Sequence, residues 1–494
     1  MEKIWVNKKS ADPVLVEKFT RELREYYTRK QVGNPIDLHP HLVRLLVQRG
    51  VTTVDEMIRY FQPSLNDLHD PFLMKDMDKA IDRIRIAIDK KEKILVYGDY
   101  DVDGTTAVAL VYTFFKQFHS EIDYYIPDRY NEGYGISYKG IDYAAENGFR
   151  LVIALDCGIK AVEKIAYAKE KNVEFIICDH HRPGATIPDA VAVLDPKRTD
   201  CSYPFKELSG CGIGFKLVQA FTLKNNLPFA NLETYLDLVV VSIASDIVEI
   251  TGENRILAYH GLKRINSAPR PGLEAILEFS NIRKCSSMNG FFFGRELTIT
   301  DLVFLIGPRI NAAGRIESGK NSVKLLITSN RKDAIAIGEQ INSYNTERKN
   351  LDSSATAEAI QMIGCDDFMQ NSKGTVIFNA QWHKGVIGIV ASRLTEHYYR
   401  PTVVLTQSGD LITGSARSVK DFDIYDAIDS CSELLEHFGG HKYAAGLSLK
   451  KENYELFREK FENAVISQLN GKILTPEIEV DDELPLNAIN SKFL

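Results

Sequence analysis

Alternation constrains this chain more than any other feature. From Lys93 to about residue 265, the short apolar runs Ile94 to Tyr97, Tyr124 to Ile126, Leu151 to Leu155, Phe175 to Cys178 and Val191 to Leu194 are separated by helical segments such as Gly140 to Asn147 and Ala161 to Lys171. A short run that is apolar on both faces is a buried strand, and strands that recur with helices between them are expected to lie parallel. The predicted fold is therefore α/β, a parallel sheet covered by helices. In such a sheet the strand carboxyl ends share one edge, and ligands bind there. Here those ends carry Asp99, Asp101 and Asp103 after the first run, Asp156 after the third, and Asp179-His180-His181 after the fourth.

On an extended backbone, residues i, i+2 and i+4 face one side, so Asp99, Asp101 and Asp103 are expected to present three carboxylates together. Such a cluster repels itself unless cations neutralise it. One aspartate here would read as a cap for the helix predicted over Ala107 to Phe118. Three, after a buried strand and before Gly104, point to a divalent-metal site. Leu236, Val239, Val240 and Ile243 follow helical spacing and predict a buried helix ending at Asp246, a further candidate ligand. Several carboxylates with imidazole suit Mn²⁺ or Mg²⁺ better than a structural zinc. The ligands outnumber what one ion uses, which suggests two ions, the arrangement that hydrolyses phosphoryl esters. Taken alone, Asp179-His180-His181 reads as a surface turn; beside the other strand-end carboxylates it reads as ligands.

Composition narrows the class. The chain has 494 residues, 44% hydrophobic and 26% charged, which suits two or more globular cores. The opening MEKIWVNKKSADP has neither an apolar core nor a small-residue cleavage site, and no apolar run reaches bilayer-spanning length, so a cytoplasmic location with no membrane partner is expected. Seven cysteines without a CxxC pair argue against a disulfide framework or a thiolate zinc site, and are expected to be reduced and mostly buried. The net charge of −7 gives no global sign of a nucleic-acid partner, although a local basic groove can coexist with an acidic total.

Six segments are predicted. Residues 1–80 form a mostly helical lead-in with a packing role, and 81–265 the α/β domain, completed by a helical, loop-rich section over 266–330. Residues 331–363 are rich in helix formers and free of proline, a long helix between two domains. Residues 373–470 form a smaller α/β domain with strands at Gly374 to Asn379 and Thr402 to Thr406 and a helix at Val386 to His397. Residues 471–494, acidic and alternating, are expected to open a further domain.

The motifs carry a resemblance. Gly98-Asp99-Tyr100-Asp101-Val102-Asp103-Gly104, Asp156 in Ala154-Leu155-Asp156-Cys157-Gly158, Asp179-His180-His181 and Asp246 in Ser245-Asp246-Ile247-Val248 resemble the four successive motifs of the DHH phosphoesterases. Phe438-Gly439-Gly440-His441-Lys442-Tyr443-Ala444-Ala445-Gly446 resembles the glycine-rich signature of the DHH-associated domain. The aspartate-rich first motif is similar to that of the RecJ family of single-strand-specific 5′ exonucleases, and Arg309 to Arg315, Gln381 to Gly388 and Gly414 to Ser418 resemble stretches of that family too. The resemblance runs from about residue 35 onward. It implies that Asp99 and Asp101 hold one metal ion, that Asp103, His180 and Asp246 hold the other, that Asp156 bridges them, and that His181 stands beside the scissile phosphate. Asp156, His181 and Asp103 are thus the expected catalytic groups. It also implies that Arg129, Ser415 and Arg417 bind a 5′-terminal phosphate, chemistry that suits a guanidinium fork and a hydroxyl. Arg309, Asn311, His383, Gly440 and His441 are the other expected substrate contacts, with Lys384 beside them.

Each has a plainer reading. Arg129 and Arg417 read as surface arginines, Ser415 as a turn residue, Gly439-Gly440 as a cap for a helix through Glu436 and His437, and Tyr130 and Tyr134 as packing rather than base-stacking groups. The family's chains generally continue into an oligonucleotide-binding domain, so residues 471–494 are expected to be its opening, with weaker hold on long strands where it is missing. The implied function is 5′→3′ exonuclease action on single-stranded DNA in repair and recombination, with a helicase and a single-strand-binding protein as partners. The alternatives are hydrolysis of short oligonucleotides, cyclic dinucleotides or phosphoadenosine phosphate, and a single-strand-binding scaffold with a dead metal centre. The long helix and the Arg309 to Arg315 segment favour the first, and a ligand at every metal position speaks against the scaffold.

Overall fold

A computed structural model describes residues 3–30, 38–284, 292–489 and 493. The chain divides into two units, Pro63–Glu347 and the pair of segments Met1–Gln62 and Arg348–Leu494. The first strand, β1 (Ile4–Asn7), belongs to the second of these.

Within Pro63–Glu347 the alternating runs form one sheet. Strands β2 (Lys93–Gly98), β3 (Ile122–Tyr125), β4 (Phe149–Leu155), β5 (Glu174–Cys178) and β6 (Ala192–Leu194) lie in the order β3-β2-β4-β5-β6, every pair parallel. Successive side chains point to opposite faces, and both faces are buried. Ile94, Val96, Leu151, Ile153 and Ile176 pack on one side with the helices Val102–Phe115 and Gly210–Lys224. Leu95, Tyr97, Val152, Ala154 and Ile177 pack on the other with Tyr138–Glu146 and Val162–Glu170. The helix Leu236–Asp246, apolar nearly all round, is buried from Leu236 to Ala244 against its helical neighbours, as a helix without a polar face must be.

The predicted lead-in divides at Gln62. Residues from Pro63 onward join the sheet unit, held partly by the buried Lys216, whose Nζ donates to the His69 carbonyl at 2.9 Å and lies 2.6 Å from Glu253 Oε1. Residues before it build a small core of their own from Phe19, Leu23, Val43, Leu46 and Met57. The helix Arg331–Cys365 passes from one unit into the other.

In the second unit β7 (Thr375–Phe378), β8 (Thr402–Ser408), β9 (Leu411–Arg417), β10 (Leu435–His441) and β11 (Ala444–Lys450) form a mixed sheet in the order β10-β11-β9-β8-β7. Gly439 and Gly440 lie in the edge strand β10, paired with Gly446 and Ala445, so no helix runs through Glu436 and His437 for them to cap. The acidic tail forms β12 (Glu477–Val480), which pairs in parallel with β1 from Ile4↔Glu477 to Asn7↔Val480. Of the tail, residues 490–492 and 494 lie outside the described residues. Cys157, Cys178, Cys201, Cys211 and Cys431 are free and buried, Cys365 is free and exposed, and Cys285 lies outside the described residues. Among the described residues no helix is long and apolar enough to cross a membrane.

Candidate metal centre

The sheet changes winding direction between β2 and β4, and a crevice opens at the carboxyl ends of such a pair. Asp99 follows β2, Asp156 follows β4, and Asp179-His180-His181 follow β5. Asp101 and Asp103 reach the same place by a different route from the expected extended run. The helix Val102–Phe115 starts at once; Asp101 is its N-cap, with Oδ1 accepting from Gly104 N at 3.0 Å, and Asp103 lies in its first turn. A second helix then aims Asp103. Its Oδ2 accepts from Gly210 N and its Oδ1 from Cys211 N and Ser242 Oγ, all at 2.7 Å, so the positive end of Gly210–Lys224 holds the carboxylate. Glycine is required where the backbones close in, since a Cβ on Gly210 would stand 2.7 Å from Asp156 Oδ1. Asp246 ends the helix Leu236–Asp246.

His180 stands at the middle. Its Nε2 is 3.2 Å from Asp156 Oδ1 and 3.6 Å from both Asp103 Oδ2 and Asp246 Oδ2. Asp103, His180 and Asp246 offer ligand atoms within 4.8 Å of one another, as do Asp156, His180 and His181. Asp99 Oδ2, both Asp156 carboxylate oxygens and both His180 ring nitrogens are buried without a hydrogen-bond partner. Burial, then the neighbouring Asp101, holds the Asp99 carboxyl well above the usual range. Burial, then Asp103, does the same to Asp156, raises Asp101, and pushes Asp246 up to about 8. Burial lowers His180, disfavouring its charged form. Oxygen-rich, mutually repelling and in part without hydrogen-bond partners, this donor set fits Mn²⁺ or Mg²⁺, which would relieve the carboxylate repulsion.

His181 is different. Its Nδ1 is 2.7 Å from Asp179 Oδ1, and its Nε2 is 3.2 Å from the hydroxyl of Tyr134. Burial opposes its charged form, but the hydrogen bond and charge of Asp179 outweigh that and raise it to about 9. Asp179 is fixed in turn by the backbone N–H groups of Ile159, His180 and His181.

Beside the cluster, the Arg129 guanidinium lies 4.7 Å from the centre of the Tyr100 ring. Tyr130 donates to the Arg315 carbonyl. The helix Gly307–Ile316 approaches Tyr100 so closely that a Cβ on Gly314 would be 2.7 Å from its carbonyl oxygen. On that helix Asn311 is half-buried, while Arg309 is buried and donates to Asn342 Oδ1 and to the Leu305 and Phe279 carbonyls, the contacts of a packing residue. Sequence reasoning missed Asp195, Tyr100 and Ser242. Asp195 follows β6, is fully buried with Oδ2 unpartnered, and is pushed up to about 7, mainly by burial. Its position at a strand end was the available signal.

In the other unit Ser415 and Arg417 share one face of β9, and Arg417 Nη1 donates to Ser415 Oγ at 2.9 Å. The helix Ile387–Tyr398 starts against them: a Cβ on Gly388 would be 3.0 Å from Ser415 Oγ and 3.1 Å from Arg417 Nη2. A hydroxyl, a guanidinium and a helix N-terminus thus converge, a combination suited to phosphate. His383 and Lys384 are half-buried just ahead of that helix, and His383 Nδ1 accepts from Gly385 N at 3.1 Å. Gly440 (φ 155°) and His441 are exposed on β10.

A parallel sheet with this cluster at its switch point, followed by a mixed sheet with a glycine-rich edge strand, defines the class of DHH proteins that carry a DHHA1 domain. Residues 93–243 match the DHH family, N-terminal domain, and residues 371–467 match the DHHA1 domain. The chain belongs to the RecJ family. It is 34% identical over 489 residues to the single-stranded-DNA-specific exonuclease RecJ of Salmonella typhimurium, covering 95% of this chain and 82% of that protein. With RecJ of Bacillus subtilis it shares 37% identity over 454 residues, 92% of this chain but 56% of the relative's length. The crystal structure of RecJ in complex with Mn²⁺ from Thermus thermophilus superposes with a TM-score of 0.80 at 25% identity, covering 98% of this chain and 65% of that one.

Proposed function

We propose that this chain is a single-stranded-DNA-specific 5′→3′ exonuclease that releases nucleoside 5′-monophosphates at a centre of two Mn²⁺ or Mg²⁺ ions. The observation that carries the reading is the set of buried, unpartnered carboxylate and imidazole atoms at the sheet's switch point. Asp103, His180 and Asp246 would hold one ion, an assignment supported by their mutual spacing, and Asp99 and Asp101 the other, with Asp156 between. When bound, such ions acidify a water and neutralise phosphate oxygens. The chain's own groups do the rest. His181, oriented by the hydrogen bond of its Nδ1 to Asp179, would be a donor for the phosphate oxygens at the scissile bond. Ser415 and Arg417 would bind the 5′-terminal phosphate, with Arg129, Asn311, His383, Gly440 and His441 as further substrate contacts; the contacts of Arg309 favour packing instead.

Hydrolysis of the P–O3′ bond after the first nucleotide frees a monophosphate and leaves a new 5′-phosphate, so one terminal clamp serves every round. Single strands in a cell are made by strand separation and coated as they appear. A helicase and a single-strand-binding protein are therefore the partners this activity calls for, in the cytoplasm, during DNA repair and recombination. The test is digestion of an end-labelled single strand of several tens of nucleotides with Mn²⁺, comparing 5′-phosphate with 5′-hydroxyl ends and with duplex. Labelled mononucleotide released first from the phosphorylated single strand is expected. Cleavage confined to dinucleotides, cyclic dinucleotides or phosphoadenosine phosphate would overturn the reading.

A further inference from the structure

The helix Leu236–Asp246 ends on Ile247, which has φ 56° and ψ 35°. Left-handed backbone at a helix end is ordinarily occupied by glycine or asparagine, and a side chain branched at Cβ suits it least. Among the described residues Ile247 is the only one that combines a positive φ with a branched Cβ. Its side chain gains nothing from the fold either, being 82% exposed. The inward turn that follows, which packs Val248 and Ile250 against the core, asks only for the left-handed backbone that a glycine supplies freely. An isoleucine here is thus unfavourable twice over, once for its backbone and once for its exposed apolar surface. The residue before it is Asp246, whose Oδ2 lies 3.6 Å from His180 Nε2 in the metal cluster.

We infer that Ile247 is a substrate-binding residue whose side chain forms the apolar wall against which the nucleoside beside the scissile phosphate lies. The inference rests on the nuclease reading above. Asp246 would hold the cation that the scissile phosphate meets, and the next residue along the chain carries an exposed aliphatic side chain, so the sugar or base joined to that phosphate is the group it would contact. Aliphatic contact of this kind excludes water from the cleavage site without reading base identity.

The test compares Ile247→Asn, which suits the left-handed backbone and removes the apolar surface, with Ile247→Val, which keeps both features. Thermal melting, Mn²⁺ titration calorimetry and steady-state digestion of 5′-phosphorylated single-stranded DNA are the readouts. The asparagine variant is expected to melt about 2 °C or more higher. It should bind Mn²⁺ as the wild type does and show a KM for the strand about tenfold higher, the worth of part of a buried aliphatic side chain. The valine variant should recover most of the wild-type KM. An asparagine variant with wild-type KM overturns the inference, as does one that melts lower, which would give the side chain to the fold. Loss of Mn²⁺ affinity in step with activity also overturns it, because Ile247 would then act by positioning Asp246. A wild-type chain that binds Mn²⁺ but leaves the strand uncut fails in its own arm, and that result removes the nuclease reading and this inference with it.

Discussion

Burial sets the chemistry of the aspartate cluster before any cation arrives. Asp99, Asp101 and Asp156 have carboxyls raised mainly by desolvation, Asp246 is raised to about 8, and His181, through Asp179, to about 9. Each of these groups binds its proton more tightly folded than unfolded. Its contribution to stability is therefore whole below the unfolded value and is lost as pH rises through the folded one. His180, lowered by burial, opposes this below its ordinary value. The metal-free protein should lose thermal stability from about pH 5 to about pH 9, and Mn²⁺ should raise the melting midpoint more at the alkaline end, where it does not compete with protons. Melts in chelator and in saturating Mn²⁺ at the two pH values check this, and a metal-free midpoint independent of pH would contradict it. Asp156→Asn removes a buried charge whose oxygens have no partner. It should raise the metal-free midpoint, abolish stabilisation by Mn²⁺, and lower hydrolysis by on the order of 10³-fold.

Two helix starts do at the element level what single residues cannot. The N-terminus of Gly210–Lys224 clamps Asp103 and leaves no room for a Cβ beside Asp156. Gly210→Ala should therefore weaken Mn²⁺ binding by about 10–100-fold, as displaced ligand support does. Calorimetric titration reads this directly, and unchanged affinity would mean that the cluster tolerates the shift. At the start of Ile387–Tyr398, Gly388→Ala would crowd Ser415 and Arg417. The preference for 5′-phosphate over 5′-hydroxyl ends should fall about tenfold, the worth of one charge-assisted hydrogen bond. An undiminished preference would place the terminal-phosphate contact elsewhere. The same elements show what the sequence made legible. Runs apolar on both faces predicted the parallel sheet, and the strand ends then predicted where ligands gather. The route of Asp101 and Asp103 was not visible, because strand periodicity stops at Gly98 and the groups that orient Asp103 lie at Ser209 to Cys211 and Ser242, far along the chain. Asp195 stands at a strand end as Asp156 does, but lies outside the four motifs that single out the other ligands. Gly439 and Gly440 read as a helix cap because glycine weakens a strand, yet an edge strand accommodates them opposite Gly446 and Ala445.

At the scale of the molecule, the segment Met1–Gln62 and the acidic tail share a unit. β1 pairs with β12, Lys8 Nζ donates to Asp481 Oδ1 at 2.9 Å, and Asp482 Oδ2 accepts from Arg44 Nε at 2.8 Å and lies 2.7 Å from His41 Nδ1. Deleting residues 3–9 should therefore raise hydrogen exchange over residues 477–482 and leave β2 to β6 protected, since the parallel sheet belongs to the other unit. Exchange that rises equally in both places would mean that the units unfold together. A two-cation centre at the switch point of the parallel sheet would be seen by anomalous diffraction at the manganese edge from crystals soaked in Mn²⁺. Two peaks are expected, one among Asp103, His180 and Asp246 and one beside Asp99 and Asp101, with Asp156 reaching both. A map without density at these six residues, in a protein that still hydrolyses DNA, would contradict it.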